Sequence, residues 1–285
     1  MHTSPATLLR RAISASLATT ALSLTLTAAA DARKPVTLEC GATITTDTKL
    51  ANDLVDCPVM GIVIGADDIT LDLNGHTIDG IPGPYISRVG VENRGYDGVT
   101  IQNGTIREFT DGVVVFEGDG NRVRRLVVSD NDSSGIFVVS ASGAEIERNA
   151  VVANGLGITL NSTQDVRIVG NSLSENQFAG ISSYFSERAL IARNSVSRTD
   201  VPLQPGVGVG IQVVDSTDNR VEQNRVVRSG TDGIRVDSPS TTLTRNTANA
   251  NGDLGIQAVP GVNDGGRNRA SANGNPLQCT FVDCG

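Results

Sequence analysis

Apolar side chains alternate with polar ones in short runs that each begin with a glycine. The alternating apolar positions include Ile136 and Val138, Ile158 and Leu160, Ile211 and Val213, and Ile234 and Val236. A period of two is typical of a β-strand with one buried face. Single aliphatic residues follow at two later points of each repeat, for example Ile146 and Val151. The pattern therefore predicts three short strands per repeat, joined by polar corners.

The repeats follow one another at a nearly constant distance. Each opens with a glycine and an aliphatic residue, at Gly90, Gly112, Gly135, Gly157, Gly180, Gly210, Gly233 and Gly255, in steps of 22, 23, 22, 23, 30, 23 and 22 residues. A fixed period of this length indicates a solenoid. Leucine-rich repeats are excluded because their LxxLxL signature is missing. We expect an all-β fold, a parallel β-helix of about nine coils.

Asparagine recurs in the same column of the repeat. Its members are Asn149, Asn171, Asn194, Asn224, Asn246 and Asn268, with Leu126 as the exception and with Asn74 and Asn103 assigned to the early coils. Asparagine tolerates the left-handed backbone of a sharp corner, and stacked asparagines can hydrogen-bond as a ladder. A catalytic role is unlikely for a residue that almost every coil contains, so we interpret the column as structural.

The repeat resembles that of the right-handed parallel β-helix proteins, the superfamily that includes pectate lyases and polygalacturonases. The opening segment GIVIGADDITLDLNGHTIDG, from Gly61 to Gly80, is similar to the first coils of secreted bacterial members. The resemblance covers almost all of the chain after residue 32. It implies the right-handed form of the fold and only weakly indicates an activity, because one fold hosts many functions.

The N-terminal segment has the features of a secretory signal peptide. A basic start with Arg10 and Arg11 precedes an uncharged run rich in Ala, Leu and Thr that ends in small residues near Ala32. We therefore expect residues 1–32 to be a signal peptide cleaved near Ala32, residues 33–60 an N-terminal cap, 61–275 the β-helix and 276–285 a C-terminal cap. The protein should be secreted or periplasmic, with no membrane span.

The formal charge limits the class of partner. The chain carries 23 Lys and Arg residues against 31 Asp and Glu residues, a net charge of −8. An acidic protein is a poor candidate for binding nucleic acid. Acidic polysaccharides would also be repelled, unless a local basic patch outweighs the net charge. We expect a monomer.

Four cysteines remain after the signal peptide: Cys40, Cys57, Cys279 and Cys284. Cysteines of an exported protein are expected to form disulfides, and the spacing lacks the CxxC elements of a zinc site. In a rod of stacked coils about 4.8 Å apart, a cysteine at one end cannot meet one at the other. The predicted pairs are Cys40–Cys57 and Cys279–Cys284, each fastening one end.

Substrates of the superfamily usually lie along the outer face of one sheet, which here is the sheet of glycine-led strands. The longest insertion, Asp200–Val209, produces the 30-residue step and should overhang this sheet, and the segment Gly80–Val89 does the same earlier. The predicted catalytic residues are Tyr184, Asp215, Arg235 and Asp237, and the predicted substrate-binding residues are Asn161 and Gln212.

Two mechanisms are compatible with this cluster. An Arg or Tyr can remove a proton beside a uronate carboxylate, and paired carboxylates such as Asp215 and Asp237 can hydrolyse a glycosidic bond. The known sequence motifs of the superfamily do not distinguish between these two mechanisms. The NTD, GDD and GHG motifs of polygalacturonases, the DPH motif of mannuronan epimerases and the RxPxxR element of pectate lyases are all missing. An ordinary polar surface is the alternative interpretation.

Cofactor chemistry is weakly represented. His76 is the only histidine after residue 32, and we expect it to have a surface or cap role. The copper-maturation periplasmic proteins share this fold, but copper prefers several His, Met or Cys ligands, and only Met60 and His76 are present outside the disulfides. The segment DNDSSG, from Asp130 to Gly135, resembles the start of a calcium loop but lacks its glutamate. We expect no cofactor, with weak calcium binding there or at Asp67–Asp68 left open.

The sequence therefore favours a polysaccharide or cell-surface glycan as the partner. One hypothesis is a lyase, epimerase or hydrolase. The other is a non-catalytic carbohydrate-binding or surface module.

Overall fold

The computed structural model describes residues 34–81, 83, 87–200 and 206–285. The predicted signal peptide and parts of the two insertions, residues 82, 84–86 and 201–205, lie outside this range. The described chain is an all-β parallel solenoid of about ten turns in which no residue is helical. The predicted fold class is confirmed, with about one coil more than expected. Consequently, the described residues include no helix that could cross a membrane.

The coils stack into three parallel sheets. The first sheet has eleven strands, at Ala42–Ile44, Met60–Ile64, Val89–Arg94, Asp111–Phe116, Ser134–Val139, Leu156–Asn161, Ala179–Tyr184, Val209–Val214, Ile234–Asp237, Ile256–Ala258 and Cys279–Thr280. The second contains Thr48–Lys49, Thr70–Asp72, Glu145–Glu147, Arg167–Val169, Leu190–Ala192, Arg220–Glu222, Thr242–Thr244 and Asn263–Asp264. The third contains Leu54–Cys57, Thr77–Gly80, Ala150–Val152, Ser172–Ser174, Ser195–Ser197, Arg225–Val227, Thr247–Asn249 and Arg269–Ser271. Two long strands, Thr100–Arg107 and Arg122–Ser129, run from the second sheet into the third.

The alternating aliphatic residues form continuous rows inside the rod. In the first sheet the residue after each glycine pairs with its counterpart in the next coil, as Ile136 does with Ile158 and Ile211 with Ile234. These side chains are fully buried. Each coil therefore adds one aliphatic layer from every sheet to a core that runs the length of the rod.

Close approach explains the glycine that opens each strand of the first sheet. A Cβ atom on Gly112 would lie 2.5 Å from a methyl carbon of Val128 and 2.6 Å from the carbonyl oxygen of Gly135. Gly135 has equally close neighbours in Val151 and Gly157. The column therefore contains glycine because the third sheet turns into the first with no room for a side chain, and not because of an unusual φ.

The asparagine column forms the predicted ladder. The side-chain nitrogen of Asn149 donates to the side-chain oxygen of Asn171 at 3.0 Å, and Asn171 and Asn194 repeat the contact with the next coil. The assignment of Asn74 and Asn103 to this column was wrong. Gly104 is in register with Leu126, so Asn103 lies one residue earlier, and both asparagines adopt positive φ, of 53° and 63°.

A second asparagine ladder was not predicted. It lies where the third sheet turns into the first, with Asn131 bonded to Asn154 at 2.8 Å, Asn154 to Asn176 at 3.0 Å and Asn251 to Asn273 at 2.9 Å. Thr199 and Ser229 replace asparagine in the two coils beside the long insertion, next to Gly180 and Gly210. Their hydroxyls have no hydrogen-bond partner within the described chain.

The disulfides confirm the pairs predicted for the two ends. Cys40 is bonded to Cys57 and Cys279 to Cys284, with Cα–Cα distances of 5.3 and 6.2 Å. Cys40 precedes Ala42–Ile44, the first strand of the first sheet, and Cys57 ends Leu54–Cys57, the first strand of the third sheet. Cys279 begins the last strand of the first sheet. The coils thus extend into both segments that were expected to be caps.

Removing the two disulfides should have unequal effects. The bonds close chain segments of 17 and 5 residues. In the chain-entropy description the longer loop gives the larger stabilisation, by about 1 kcal/mol. We therefore expect the Cys40→Ala/Cys57→Ala variant to lose about 1 kcal/mol more than Cys279→Ala/Cys284→Ala in denaturant unfolding. Equal losses would contradict this account.

Candidate functional site

The outer face of the first sheet has two rows of side chains in register. One row contains Glu92, Val114, Phe137, Thr159, Ser182, Gln212, Arg235 and Gln257. The other contains Arg94, Phe116, Val139, Asn161, Tyr184, Val214 and Asp237. These rows contain the positions that the sequence predicts to face outward, and Glu92, Val114, Thr159 and Ser182 in the first row are buried. Successive residues of a row are one coil apart, about 4.8 Å.

The first half of this face begins with the charged residues Glu92 and Arg94 and continues with apolar and aromatic ones. Phe116 and Phe137 belong to adjacent coils, and the guanidinium carbon of Arg94 lies 5.4 Å from the centre of the Phe116 ring. Arg94 also pairs with Glu92 at 2.8 Å, and the Glu92 side chain is only 8% exposed. Aromatic rings with a nearby polar group are typical of surfaces that contact both apolar and polar parts of a ligand.

A hydrogen-bond network occupies the second half. The side-chain nitrogen of Gln212 donates to the Tyr184 hydroxyl at 2.5 Å and to the Ser182 hydroxyl at 2.9 Å. Ser182 and Tyr184 belong to the same strand, and Gln212 lies in the next coil, in register with Ser182. The structure thus brings together Tyr184 and Gln212, two of the residues predicted from the sequence. Asn161 lies one coil before Tyr184 in the same row.

Arg235 has a partner that the sequence interpretation missed. Its guanidinium group contacts the Asp232 carboxylate at 2.6 and 2.9 Å and the Gln257 side-chain oxygen at 2.9 Å. The Asp232 side chain is 1% exposed and the Arg235 side chain 33% exposed. The second Asp232 oxygen accepts the backbone N–H of Leu254. Arg235 therefore neutralises a buried carboxylate.

Asp111 is the counterpart of Asp232 in an earlier coil. It also precedes the glycine of its strand, and its carboxylate accepts the backbone N–H of Ser134 at 2.9 Å. Burial raises the pKa of Asp111, while hydrogen bonds from Ser134 and Ser133 act in the opposite direction. A sequence signal for both residues existed, because the tripeptide Thr-Asp-Gly occurs at 110–112 and again at 231–233.

The two remaining predicted catalytic residues lie apart from these contacts. Asp237 is in register with Val214, and Asp215 lies one residue beyond, at a corner with φ of 48°. Both are exposed, and neither side chain takes part in a hydrogen bond or ion pair of the described chain. The expected separation of about one coil and the roles of Tyr184, Asp215, Arg235 and Asp237 in catalysis stay predictions.

The base of the long insertion lies at the beginning of the strands of the first sheet. Thr231 donates its hydroxyl to the carbonyl of Gly208 at 3.2 Å, and the N–H of Gly206 donates to Asp200 at 3.1 Å. Asp232 is therefore next to this base, whereas Tyr184, Asp215 and Asp237 lie at the opposite ends of their strands. The insertions were expected from the sequence to overhang this face, and that expectation falls partly on residues 84–86 and 201–205, which lie outside the described residues.

The side chains present do not match the donor set of a copper site. His76 directs Nδ1 to Asp53 at 3.0 Å, and all four cysteines are in disulfides. Within the described ranges no three His, Cys, Asp or Glu side chains converge as metal ligands. In the segment considered for calcium, Asp132 lies 3.9 Å from Arg88, and Ser134 bonds to Asp111. Asp67 accepts the backbone N–H of Asp97.

Solved structures with the same fold include several carbohydrate enzymes by name. The periplasmic alginate epimerase AlgG has a TM-score of 0.58 and 15% identity, over 84% of this chain and 70% of that chain. DFA-IIIase from Arthrobacter chlorophenolicus A6, without its lid, has 0.58 and 15%, over 84% and 68%. The A-module of the Azotobacter vinelandii mannuronan C-5 epimerase AlgE4 has 0.51 and 13%, over 87% and 90%. Identities this low show a shared right-handed parallel β-helix and nothing more specific.

Sequence comparison gives a family assignment. No curated protein has a sequence that matches the chain. The family described as periplasmic copper-binding protein (NosD) matches residues 99–273, which is more than half of the 285 residues. The match spans the regular coils from Val99, just before the strand Thr100–Arg107, to the end of the second asparagine ladder at Asn273. The chain therefore belongs to the NosD family of parallel β-helix proteins.

Proposed function

We propose that the protein binds a polysaccharide along the outer face of the first sheet, with the polymer parallel to the rod. The observation that supports this most is the contact between Gln212, Tyr184 and Ser182. It presents a hydroxyl and an amide side by side, as a sugar requires, and Asn161 extends the polar row by one coil. Phe116 and Phe137 offer ring surfaces for sugar faces in the adjoining half.

The sugar class is supported by names of proteins with the same fold. AlgG is an alginate epimerase and AlgE4 a mannuronan C-5 epimerase. The family name, by contrast, refers to copper. Copper sites require soft ligands such as His, Met and Cys. After residue 32 this chain has one methionine, Met60, and one histidine, His76, and its cysteines are all in disulfides. We therefore assign no copper chemistry to this protein.

The compartment fits this function. Disulfides form in oxidising compartments, and the family to which the chain belongs is described as periplasmic. Our proposal includes export of the chain by the N-terminal segment 1–32. A periplasmic or secreted location would give the first sheet access to cell-surface and extracellular glycans.

Replacing the network on the first sheet should weaken glycan binding. A Tyr184→Ala/Gln212→Ala variant loses the Tyr184 hydroxyl and the Gln212 amide. We expect its affinity for the glycan to fall at least tenfold. A loss of this size corresponds to about 1.4 kcal/mol, which is the strength of one or two hydrogen bonds. The measurement is binding to an array of neutral and uronate polysaccharides, followed by titration calorimetry with the glycan that binds best.

Gln164→Ala serves as the control, because this exposed residue lies at a corner outside the first sheet. It should bind like the wild type. Unchanged binding by the Tyr184→Ala/Gln212→Ala variant, folded by circular dichroism, would show that the first sheet is not the glycan site. A wild-type protein that binds no glycan on the array would contradict the proposal as a whole.

Proton-transfer catalysis is the second candidate function, and Asp111 is the observation that favours it. A carboxyl group whose pKa is raised by burial is suited to general acid or base chemistry. Asp111 is the first residue of the strand that ends at Phe116. Release of unsaturated uronates by the wild type, abolished in Asp111→Asn, would favour a lyase over a binding module.

A further inference from the structure

Arginine recurs at the corner where the chain passes from the second sheet to the third. The residue before each ladder asparagine adopts a left-handed φ. In four coils this residue is an exposed arginine, namely Arg148, Arg193, Arg245 and Arg267, with φ values of 55°, 55°, 55° and 61°. The equivalent residues of the other coils are Arg125, Gly170 and Gln223. One edge of the rod is therefore rich in positive charge.

The backbone does not require arginine at these positions. The corner between the third and the first sheet has the same left-handed conformation, and alanine occupies it at Ala153, Ala250 and Ala272, with φ of 57°, 55° and 56°. A small side chain is therefore sufficient for this geometry, and glycine would relieve the strain. The arginines need an explanation outside the local conformation.

Internal ion pairs do not provide it. In the described chain, no hydrogen bond or ion pair involves the guanidinium groups of four corner arginines or of two more on the adjoining third sheet. We call these six the basic edge: Arg148, Arg193, Arg225, Arg245, Arg267 and Arg269. By contrast, Arg107, Arg122 and Arg188 pair with acidic residues at 2.9, 3.1 and 2.8 Å. Unpaired like charges one or two coils apart repel each other.

From Ala150 onward, the third sheet beside the basic edge carries no outward charge except arginine. Its outward residues from coil to coil include Ser172, Ser174, Ser195, Ser197, Thr247, Asn249 and Ser271. None of its outward residues from Ala150 to Ser271 is acidic. On the second sheet, Glu222 is paired with Arg220 at 2.7 Å. At the C-terminal end of the basic edge, Asp264 accepts the Asn268 side chain at 3.1 Å, and Asp283 lines the same cavity as Arg267 and Arg269.

The distance between successive arginines of the basic edge indicates which kind of anionic polymer fits. Consecutive coils are about 4.8 Å apart, so the basic edge offers a positive charge every one or two coils along a straight line. This arrangement fits a linear polymer with one charge on each sugar unit. In a DNA duplex each strand carries one phosphate per about 3.4 Å of helix axis, on a helical path that does not match a straight row. Hydroxyl and amide groups of the third sheet can bond to the remaining oxygens of a sugar.

We infer that the basic edge and the third sheet bind an acidic polysaccharide along the rod axis, at a surface separate from the first sheet. The local patch outweighs the net charge of −8 at short range. This inference does not depend on the glycan site proposed above. A polymer could occupy either surface alone.

The test uses alginate as the acidic polymer and dextran as the uncharged one, with titration calorimetry at two salt concentrations. The variant is Arg148→Ala/Arg193→Ala/Arg245→Ala, in which alanine is the residue that the other corner tolerates. The control is Arg107→Ala/Arg122→Ala/Arg188→Ala, which removes the same charge from ion-paired positions. We expect the first variant to bind alginate at least tenfold more weakly and with a smaller salt dependence. The control should stay within twofold of the wild type.

Equal losses of alginate affinity in the two triple variants would show an effect of net charge only and would overturn the inference. Unchanged alginate affinity in Arg148→Ala/Arg193→Ala/Arg245→Ala would also overturn it. Tighter binding of single-stranded DNA than of alginate would overturn the choice of polymer. If the triple variant fails to fold, Arg225→Ser/Arg269→Ser replaces it, because Ser195 already occupies the same row. Alginate binding that survives these variants but not Tyr184→Ala/Gln212→Ala would leave the first-sheet site intact and refute the second surface.

Discussion

Asn194→Ala is expected to lower the free energy of unfolding by about 3 kcal/mol, because it interrupts the ladder in the middle of the rod. The Asn194 side chain donates to the carbonyl of Ile168 and accepts both the backbone and the side-chain N–H groups of Asn171. These partners are buried, and truncation leaves them without hydrogen bonds in a place that water does not reach. An unsatisfied buried polar group costs about 1–3 kcal/mol.

Denaturant unfolding measures this loss, with Asn263→Ala as the control. Asn263 is exposed, and its side chain makes only a long contact of 3.5 Å with the carbonyl of Ser240. The control should change stability by less than 0.5 kcal/mol, about the limit for surface substitutions. Glycan binding per folded molecule should not change in either variant. A loss below about 1 kcal/mol in Asn194→Ala would mean that the ladder hydrogen bonds contribute little.

Arg235→Ala is expected to destabilise the protein by about 2 kcal/mol rather than simply to remove a functional group. Its partner Asp232 is almost fully buried and would keep a charge without a counterion. This loss is below the range of about 3–5 kcal/mol for broken buried pairs because a third of the Arg235 side chain is exposed. The control is Arg220→Ala. Arg220 is 62% exposed and its partner Glu222 is 20% exposed, so solvent can compensate.

The double variant Arg235→Ala/Asp232→Asn tests the mechanism. Asparagine keeps an oxygen for the N–H of Leu254 but carries no charge, so most of the lost stability should return. Thermal and denaturant unfolding of the three variants give the comparison. A double variant as unstable as Arg235→Ala would show that the loss comes from packing of the arginine stem and not from the buried charge.

The coils could be predicted from the sequence because most contacts in this fold join residues that are one repeat period apart. The inward row that contains Ile136 and Ile158 and the ladder of Asn149 and Asn171 both follow from a step of 22 residues. The disulfides followed from the length of a rod. The second ladder escaped detection because Thr199 and Ser229 interrupt it where the insertion also breaks the period.

The candidate site was less predictable, and orientation is the physical reason. Alternation correctly placed Tyr184 and Gln212 on the outer face, but it could not show that the residue before the glycine turns inward. Asp232 was therefore overlooked as the partner of Arg235, which the sequence placed among the catalytic candidates and which the structure pairs with this buried carboxylate. Pairing in this site depends on which way a single backbone corner turns, and neither composition nor spacing carries that information.

The 30-residue step has a consequence for how this protein family can diversify. Although the chain leaves the coil after Thr199, Ala179 still pairs with Val209 and Ile181 with Ile211, as in coils without an insertion. The pairing of the strands is thus the same whether the chain between two coils is short or long at this corner. Natural selection can lengthen, shorten or exchange that segment without disturbing a single sheet partner. The sheet pairing of the rod therefore does not depend on the length of this segment.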